Sequence, residues 1–277
     1  MSTITATDVN KLRQMTGAGM MDCKKALTES NGDFDAAVDF LRKKGAKVSA
    51  ARADREAKEG AVIAKTTSDH KSGVIIHLTC ETDFVAKNED FVAFANQIAD
   101  LALNNKPSSL EALKAIELNG LPLSEKLIEQ VGKIGEKIDV INYALMEGEN
   151  IVSYIHAANR LGVLVSLTAS PSEANLVAGR DVAMQIAAMN PVSLDKNDVD
   201  PSVVNREIEV GKEQARAEGK PEAMLEKIAQ GKLAKFYKDS TLLNQEFVKD
   251  SSKTITQMLD AVEKGLSVKA YKRITLG

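Results

Sequence analysis

The stretch Gly73-Val74-Ile75-Ile76-His77-Leu78-Thr79-Cys80 is echoed later in the chain by Gly162-Val163-Leu164-Val165-Ser166-Leu167-Thr168-Ala169. Gly, Val, Leu and Thr occupy the same places in both stretches. Further on, Gln97-Ile98-Ala99 finds a counterpart in Gln185-Ile186-Ala187, with one residue less between. Alternating apolar residues followed by a helical pattern predict a hairpin strand and a helix in each copy. Two copies are too few for a solenoid and indicate a pseudo-symmetric domain.

The residues that follow the two stretches differ. Glu81-Thr82-Asp83-Phe84-Val85, called here the acidic-aromatic segment, follows the first stretch, whereas Ser170-Pro171-Ser172-Glu173 follows the second. Copies that share a scaffold and differ in one loop are expected to share packing and to differ in function, because function collects in loops on a rigid frame. We therefore predict a function for the acidic-aromatic segment.

Phe84 decides how the acidic-aromatic segment is interpreted. One interpretation is that its ring folds back onto the core of this chain. The other is an exposed ring beside the carboxylate of Asp83. Such a ring would enter an apolar crevice of a partner while the acid competes with acidic or phosphate ligands. The second copy has no aromatic residue at this point, which favours the exposed ring.

The composition is that of an ordinary globular protein, with 44% hydrophobic and 27% charged residues among 277. A net charge of -3, and 4% aromatic residues without tryptophan, argue against a surface for nucleic acid or acidic membranes. No apolar run is long enough for a signal peptide or a transmembrane helix. Cys23 and Cys80 make no disulfide framework. These features predict a cytoplasmic protein with reduced thiols.

The N-terminal region is predicted to contain three helices. The first is expected to be capped by Thr7 and to end at the turn 16–19, and the second is expected to stop at Asn31-Gly32. The third is expected to run from Asp33 to Gly45. So small a module has little core, and we expect it to lean on a partner or on the rest of the chain.

Two adjacent methionines mark the second predicted helix. Met20 and Met21 cannot both lie centrally on a narrow apolar stripe, because neighbouring residues on a helix point about 100° apart. At least one is therefore predicted to be available to a partner, where the flexible methionine side chain adapts well.

The pattern along the whole chain predicts an α+β fold. A three-helix module precedes a duplicated core of antiparallel sheets and helices, into which an antiparallel helical hairpin of coiled-coil type is inserted. The predicted domains are 1–50 for the module, 51–59 for a polar and partly helical linker, 60–149 for the first core subdomain, 150–199 with 241–277 for the second, and 200–240 for the hairpin.

Some finer expectations complete this picture. In the hairpin, Met224 is assigned to the apolar stripe. The remaining expectations are a helical region over 108–137 broken near 119–122, one meander of strands over 138–147, 151–157 and 162–169, a last helix over 251–264, and an edge strand over 267–276.

Catalytic and metal-binding chemistry finds little support. His77 and Cys80 would lie on opposite faces of one strand and cannot both reach a single ion, so a hydrogen-bonded strand histidine and a buried cysteine are expected instead. Gly17-Ala18-Gly19 follows a helix and not a strand, which favours a plain turn over a phosphate-binding loop. We predict no enzyme activity, no cofactor and no metal site.

Several motifs together carry a family resemblance. They are Leu12-Arg13, the string Thr16–Leu27, the string Thr82–Lys87, and Ile155-His156 followed by Gly162–Val165. The chain closely resembles the elongation factor Ts family of bacterial translation factors. The resemblance covers nearly the whole chain, including Gly219-Lys220-Pro221 and the helix after it, which look like the coiled-coil hairpin of that family.

The resemblance implies a guanine-nucleotide exchange factor that binds elongation factor Tu with GDP and promotes replacement of GDP by GTP. The three-helix module, which is similar to a ubiquitin-associated domain, would dock on the partner's G domain through Leu12, Met20 and Met21. His156 would lie on a sheet that faces the partner. No direct contact with nucleic acid or membrane is implied, and a dimer or a heterotetramer with the partner is left open.

The resemblance also implies a role for the acidic-aromatic segment. Thr82, Asp83, Phe84 and Val85 would enter beside the partner's nucleotide site, where Asp83 and Phe84 disturb the Mg²⁺ and phosphate-binding loops. Family members with a further helix after the last strand use it as a C-terminal module. Since this sequence stops at Gly277, contacts of that kind are not expected.

Two other functions compete with exchange. The first is a helical adaptor, in which the three-helix module and the hairpin hold partners together without changing a bound nucleotide. The second is a metal-dependent enzyme, which would require bound metal in the purified protein. The exchange factor is distinguished from both by accelerated release of GDP from elongation factor Tu.

Overall fold

The structure is a computed structural model that describes residues 4–276. Residues 1–3 of the predicted N-terminal module and Gly277 of the predicted second subdomain lie outside this range. The helices are α1 (Ala6–Thr16), α2 (Met20–Glu29), α3 (Phe34–Ala51), α4 (Asp83–Ala86), α5 (Glu89–Asn105), α6 (Leu110–Ala115), α7 (Leu123–Ile134), α8 (Glu173–Met189), α9 (Pro201–Ala217), α10 (Glu222–Ser240) and α11 (Ile255–Val262). The strands are β1 (Glu59–Thr66), β2 (Ser72–Cys80), β3 (Glu117–Leu118), β4 (Leu121–Pro122), β5 (Asp139–Glu147), β6 (Asn150–His156), β7 (Leu161–Leu167), β8 (Glu246–Phe247), β9 (Asp250–Thr254) and β10 (Val268–Thr275).

The chain divides into two compact units. The first runs as far as Ile63, resumes over Ile75–Leu145 and includes the residues from Ile274. The second comprises Ala64–Val74 and Met146–Arg273. No helix within residues 4–276 is long and apolar enough to cross a bilayer.

Helix α1 begins two residues earlier than the sequence analysis expects. Thr5, and not Thr7, is the N-cap: its hydroxyl accepts a hydrogen bond from the backbone N–H of Asp8, and the Asp8 carboxylate accepts one from the backbone N–H of Thr5. This reciprocal capping box needs an acceptor side chain three residues after the cap, which Thr5 has in Asp8. The helix ends at Gly17, whose backbone is left-handed.

Helix α3 continues to Ala51 and does not end at Gly45 as predicted. Gly45 instead provides a close approach to α7, because a Cβ atom added to Gly132 of α7 would lie only 2.9 Å from the Cα of Gly45. The glycine is thus used for packing between two helices and not as a helix end. The core of the three-helix module consists of Val9, Leu12, Cys23, Ala26, Leu27 and Ala37.

Two three-stranded sheets form, with strand orders β1-β2-β5 and β10-β7-β6. The predicted meander is therefore wrong, since β5 joins the first hairpin while β6 and β7 pair with each other. The physical reason is that β2 is buried along its whole length. A strand without solvent contact needs a hydrogen-bonded neighbour on each edge, and β5 supplies the second one.

The two copies share one arrangement. In each, the central strand of a three-stranded sheet leads into a helix of 17 residues, α5 after β2 and α8 after β7. Asn88 and Ser172 cap the N-termini of these helices, and Lys106 and Asn190 end them in left-handed conformations. The duplication in the sequence thus corresponds to a duplicated strand-and-helix arrangement.

Helices α9 and α10 form an antiparallel helical hairpin. Salt bridges join Lys212 to Glu226 at 2.8 Å and Arg216 to Glu222 at 2.7 Å. Gly211 lies against Ala229. The buried positions of α10 are Leu225, Ala229 and Leu233. Met224, which the sequence analysis assigns to the apolar stripe, is exposed, because the buried positions recur every four residues and leave it beside them.

Two further regions differ from their predictions. The break expected near 119–122 is a short antiparallel hairpin, β3-β4. The helix expected over 251–264 starts only at Ile255, because Thr254 and Gln257 form a capping box there and the preceding residues form β9. The predicted last strand is present as β10 and lies at an edge of its sheet.

Candidate functional site

The acidic-aromatic segment begins where β2 ends. Thr82 is the N-cap of α4, and its hydroxyl oxygen accepts a hydrogen bond from the backbone N–H of Val85 at 3.4 Å. The predicted loop is therefore a single helical turn. The turn forms because a threonine with extended backbone precedes residues that tolerate helical angles.

The ring of Phe84 points into solvent. Its side chain is 83% exposed, the largest exposure of any large hydrophobic residue in the described part of the chain. This excludes the interpretation in which the ring folds back onto the core. An isolated aromatic ring held in water at a strand end has no role in the packing of this chain.

The neighbouring Asp83 carries a negative charge in neutral solution. The ammonium of Lys87 lies 2.6 Å from the Asp83 carboxylate, and this hydrogen bond holds the pKa of the carboxyl below its ordinary value. Both side chains are substantially exposed, so the pair is exchangeable with other ligands in solvent. An ionised acid and an exposed ring therefore lie side by side.

Glu136, just after the left-handed end of α7 at Gly135, binds the start of the segment. One carboxylate oxygen accepts the hydroxyl of Thr82 at 2.7 Å. The other accepts the backbone N–H groups of Glu81 and Thr82, each at 3.0 Å. One carboxylate thus holds three donors of the segment.

The carboxylate of Glu81 has hydrogen-bond partners of its own. Arg52, at the C-cap of α3, donates from one guanidinium nitrogen to both carboxylate oxygens of Glu81 at 2.7 and 2.9 Å. The backbone N–H of Lys137 donates to the same carboxylate at 2.6 Å. Burial raises the pKa of Glu81, but the hydrogen bonds from Lys137 and Arg52 outweigh it and the pKa lies below its ordinary value.

The strand leading to the segment contains two groups considered as metal ligands. Cys80 is buried, as predicted, and burial raises the pKa of its thiol to about 12. His77 is also buried, but neither ring nitrogen has a hydrogen-bond partner in the described structure. The expectation of a hydrogen-bonded histidine is therefore wrong. Among residues 4–276, no group of three His, Cys, Asp or Glu side chains is placed to hold a metal ion.

The three-helix module exposes methionine at its surface. Met20 is 47% and Met21 75% exposed. They border a shallow depression that Ile4 and Val9 also line. Leu12, predicted to contact a partner, is fully buried in the module core, and its side chain is not accessible from the surface. The apolar stripe of α1, to which Leu12 belongs, faces α2 and α3, because a helix this short has one apolar face and that face forms the core.

His156 lies at the exposed end of β6. Its Nδ1 is 2.9 Å from the hydroxyl of Tyr154, two residues earlier on the same strand face. The two rings lie against each other with centroids 5.9 Å apart. The structure thus leaves His156 accessible in the second unit, while Thr82–Val85 and the methionine pair belong to the first.

Sequence reasoning missed the groups that hold the segment. Arg52 and Glu136 are 29 and 54 residues away from their partners, so no local pattern connects them. Glu136 had one weak signal, its place directly after a glycine that ends a helix, but many surface carboxylates share that feature.

The comparisons with known proteins agree with the resemblance. The family model described as Elongation factor TS matches residues 81–277. The Elongation factor Ts of Cytophaga hutchinsonii is 60% identical over 277 residues, with both chains covered completely. That of Amoebophilus asiaticus is 53% identical over 274 residues, covering 99% of each chain, and that of Porphyromonas gingivalis 45% over 276 residues, covering 99% of this chain and 98% of its own. A chain with these matches along its whole length belongs to the elongation factor Ts family of translation elongation factors.

Proposed function

We propose that this protein is a guanine-nucleotide exchange factor for elongation factor Tu. It binds the GDP complex, disturbs the Mg²⁺ and phosphate-binding site, and lets GTP replace GDP. The observation that carries the proposal is the exposed ring of Phe84 on a segment whose start is held by the three hydrogen bonds to Glu136. Family membership supports the identity of the partner.

The chemistry of the segment suits a nucleotide site. Phe84 would enter an apolar crevice beside the phosphate-binding loops, and the ionised Asp83 would introduce a like charge near the phosphates and compete for their cation. Mg²⁺ bridging the phosphates supplies much of the grip on a nucleotide, so a shift of this ion loosens the whole ligand. No group of the factor itself needs to form or break a covalent bond.

The magnitudes show why a docking surface is also needed. A rate increase of about 10⁴-fold requires about 5.5 kcal/mol of barrier lowering. Full burial of one phenylalanine contributes about 1.5–3 kcal/mol. Phe84 alone is therefore insufficient, and contacts elsewhere must supply the remainder.

The exposed methionine pair is the second part of the proposed interface. Met20 and Met21 would dock on the G domain beside the depression that they border, with the buried Leu12 supporting α1 from within the module. His156 would add a contact from the second unit. Factor binding and nucleotide binding are reciprocally coupled, so a nucleotide weakens the binding of the factor by the same ratio as the factor weakens the binding of that nucleotide.

A stopped-flow measurement tests the proposal. Elongation factor Tu loaded with a fluorescent GDP analogue is mixed with excess GDP, with and without this protein. We expect release to accelerate with increasing factor concentration and to reach a plateau. Binding to elongation factor Tu without any acceleration would reject exchange and favour the helical adaptor. Bound metal in the purified protein together with unchanged release would favour the enzyme.

A further inference from the structure

The conformation of the acidic-aromatic segment cannot originate in the segment itself. Helix α4 has only four residues and none of them is buried. A helix so short is unstable in water without external support, since about 12–15 residues are needed even for favourable sequences. The direction in which Phe84 points must therefore be set by contacts outside the segment.

Glu136 supplies the first of these contacts. Its carboxylate accepts the backbone N–H groups of Glu81 and Thr82 and the hydroxyl of Thr82, which leaves the segment little rotational freedom at its start. Hydrogen bonds to an ionised acceptor are shorter and stronger than neutral ones. Glu136 itself follows immediately after α7, whose last turn ends in the left-handed Gly135.

Arg52 supplies the second contact, through Glu81. Its guanidinium at the end of α3 binds the Glu81 carboxylate, which also accepts the backbone N–H of Lys137. The ammonium of Lys137 donates to the carbonyl groups of Ala53 and Arg55 at 2.6 and 3.0 Å. The end of α3, the end of α7 and the segment are thus connected by hydrogen bonds.

Helix α3 and helix α7 are also in direct contact. Gly45 and Gly132 bring their backbones together, and no side chain larger than hydrogen fits between them at Gly132. Since α3 belongs to the module that exposes Met20 and Met21, this contact joins the module to α7, the helix that Glu136 follows. The acidic-aromatic segment and the methionine pair, the two parts of the proposed interface within the first unit, are thus connected through the packed helices α3 and α7.

We infer that Glu136 is a positioning residue for the acidic-aromatic segment, and that Arg52 ties this position to α3 so that docking of the module places Phe84. The inference rests on the proposed function for its effect on exchange. Its structural content, the fixed direction of residue 84, is independent of any partner.

A tryptophan probe tests the structural content alone. The chain has no tryptophan, so Phe84→Trp provides a single tryptophan, excited selectively over the four tyrosines, at the position in question. We expect Glu136→Ala in this background to lower the fluorescence anisotropy of Trp relative to the parent, because the segment gains local motion. Unchanged anisotropy in a variant with an unchanged melting temperature would overturn the inference, whatever the exchange assay shows.

Exchange kinetics test the consequence. Glu136→Ala is expected to lower the plateau release rate about tenfold, a loss comparable to that of a single interaction in the transition state. The factor concentration at half-saturation is expected to change less than about threefold. Glu136→Gln keeps an oxygen for the two backbone N–H groups and should restore the rate to within about threefold of the wild type. Equal losses in rate and half-saturation, or no rescue by glutamine, would show a merely structural role.

Two controls complete the experiment. Glu125→Ala removes an exposed carboxylate from the first turn of α7, the helix that Glu136 follows, and should leave the plateau rate unchanged. In the Phe84→Ala background, Glu136→Ala should cause no additional loss, because a positioning residue acts only through what it positions. Additive losses would overturn the inference. If the wild type does not accelerate release at all, the proposed function fails while the anisotropy result still decides the role of Glu136.

Discussion

The two copies of the strand-and-helix unit are alike in architecture and unlike at their strand-to-helix connections. In the first copy, residues 81–88 connect β2 to α5 and include the extra turn α4 with its exposed ring. In the second, residues 168–172 connect β7 directly to α8. The frame is the same in both, so the extra turn α4 in the first copy is not required for folding of such a unit. This difference supports the proposal that the connection carries function while the frame provides packing.

The copies also differ inside the frame, at positions that the sequence repeat matches. Gln97 is exposed on α5, whereas Gln185 is fully buried on α8. The side chain of Gln185 donates to Gln245 Oε1 and to the carbonyl of Glu246, both at 3.1 Å, and accepts the backbone N–H of Val248 at 2.9 Å. Identical residues in a repeat thus acquire different roles from the elements that pack on them.

The largest expected effect concerns the connection of the first copy. Phe84→Ala should lower the plateau rate of nucleotide release about 10- to 100-fold, in line with the loss of about 1.5–3 kcal/mol of ring burial in the transition state. Affinity for the nucleotide-free partner should fall much less, as measured by titration. Val177→Ala on α8 removes an exposed apolar side chain from the second copy and is the control without effect. Equal losses of rate and affinity would make Phe84 an ordinary anchor.

The next effect tests the divergence of the matched glutamines. Gln185→Ala should lower the free energy of unfolding by about 2 kcal/mol, because the buried side chain of Gln245 and two partly buried backbone groups lose a hydrogen-bond partner. Gln97→Ala should change it by less than about 0.5 kcal/mol, as is usual for exposed positions. Urea denaturation of both variants measures the difference. Similar values for the two would show that the copies are equivalent at this position after all.

Substitution of the methionine pair tests whether the proposed interface includes a surface outside the two strand-and-helix units. Met20→Ala with Met21→Ala should raise the factor concentration at half-saturation about tenfold and leave the plateau rate within about twofold, since uniform binding affects affinity and not turnover. Met189→Ala, at the exposed end of α8, is the matched control. An unchanged half-saturation in the double variant would remove the methionine surface from the proposed interface.

The smallest effect concerns a pair of buried groups without partners. His77 in the first copy corresponds to Ser166 in the second, and neither side chain has a hydrogen-bond partner in the described structure. Burial lowers the pKa of His77 below its ordinary value of 6.5. As pH falls, the His77 imidazole is therefore protonated at a higher pH in the unfolded chain than in the folded protein. The contribution of His77 to stability is present above pH 6.5 and is lost as the pH falls towards the lower pKa of the folded state.

Denaturation at about pH 7.5 and about pH 5.5 brackets the ordinary pKa of histidine, and most carboxyl groups titrate below this window. The wild type should be less stable at the lower pH. His77→Ser, which introduces the residue of the second copy, should flatten the dependence even if a cavity lowers stability at both values. An unaltered slope in His77→Ser would assign the dependence to other groups.

Several features of the site could be predicted from the sequence. The exposure of Phe84 was inferred from its absence in the second copy, and adjacency on a helix indicated that one of Met20 and Met21 is accessible. The cap at Thr5 could have been found as well, since Asp8 follows at the spacing of a capping box. The burial of Leu12 could not be predicted from its motif, because a family motif does not tell a contact residue from a core residue.

The repeat, the types of its elements and the one connection that departs from it can all be recognised in the sequence. These features depend on backbone periodicity and on caps and turns, which act over a few residues. The pairing of β5 with β2, the packing of Gly45 against Gly132 and the hydrogen bond between Glu136 and Thr82 are visible only in the folded chain. Pairing, close packing and long-range hydrogen bonds join residues far apart in the chain, and such contacts are selected by the burial of the whole fold and not by neighbouring residues.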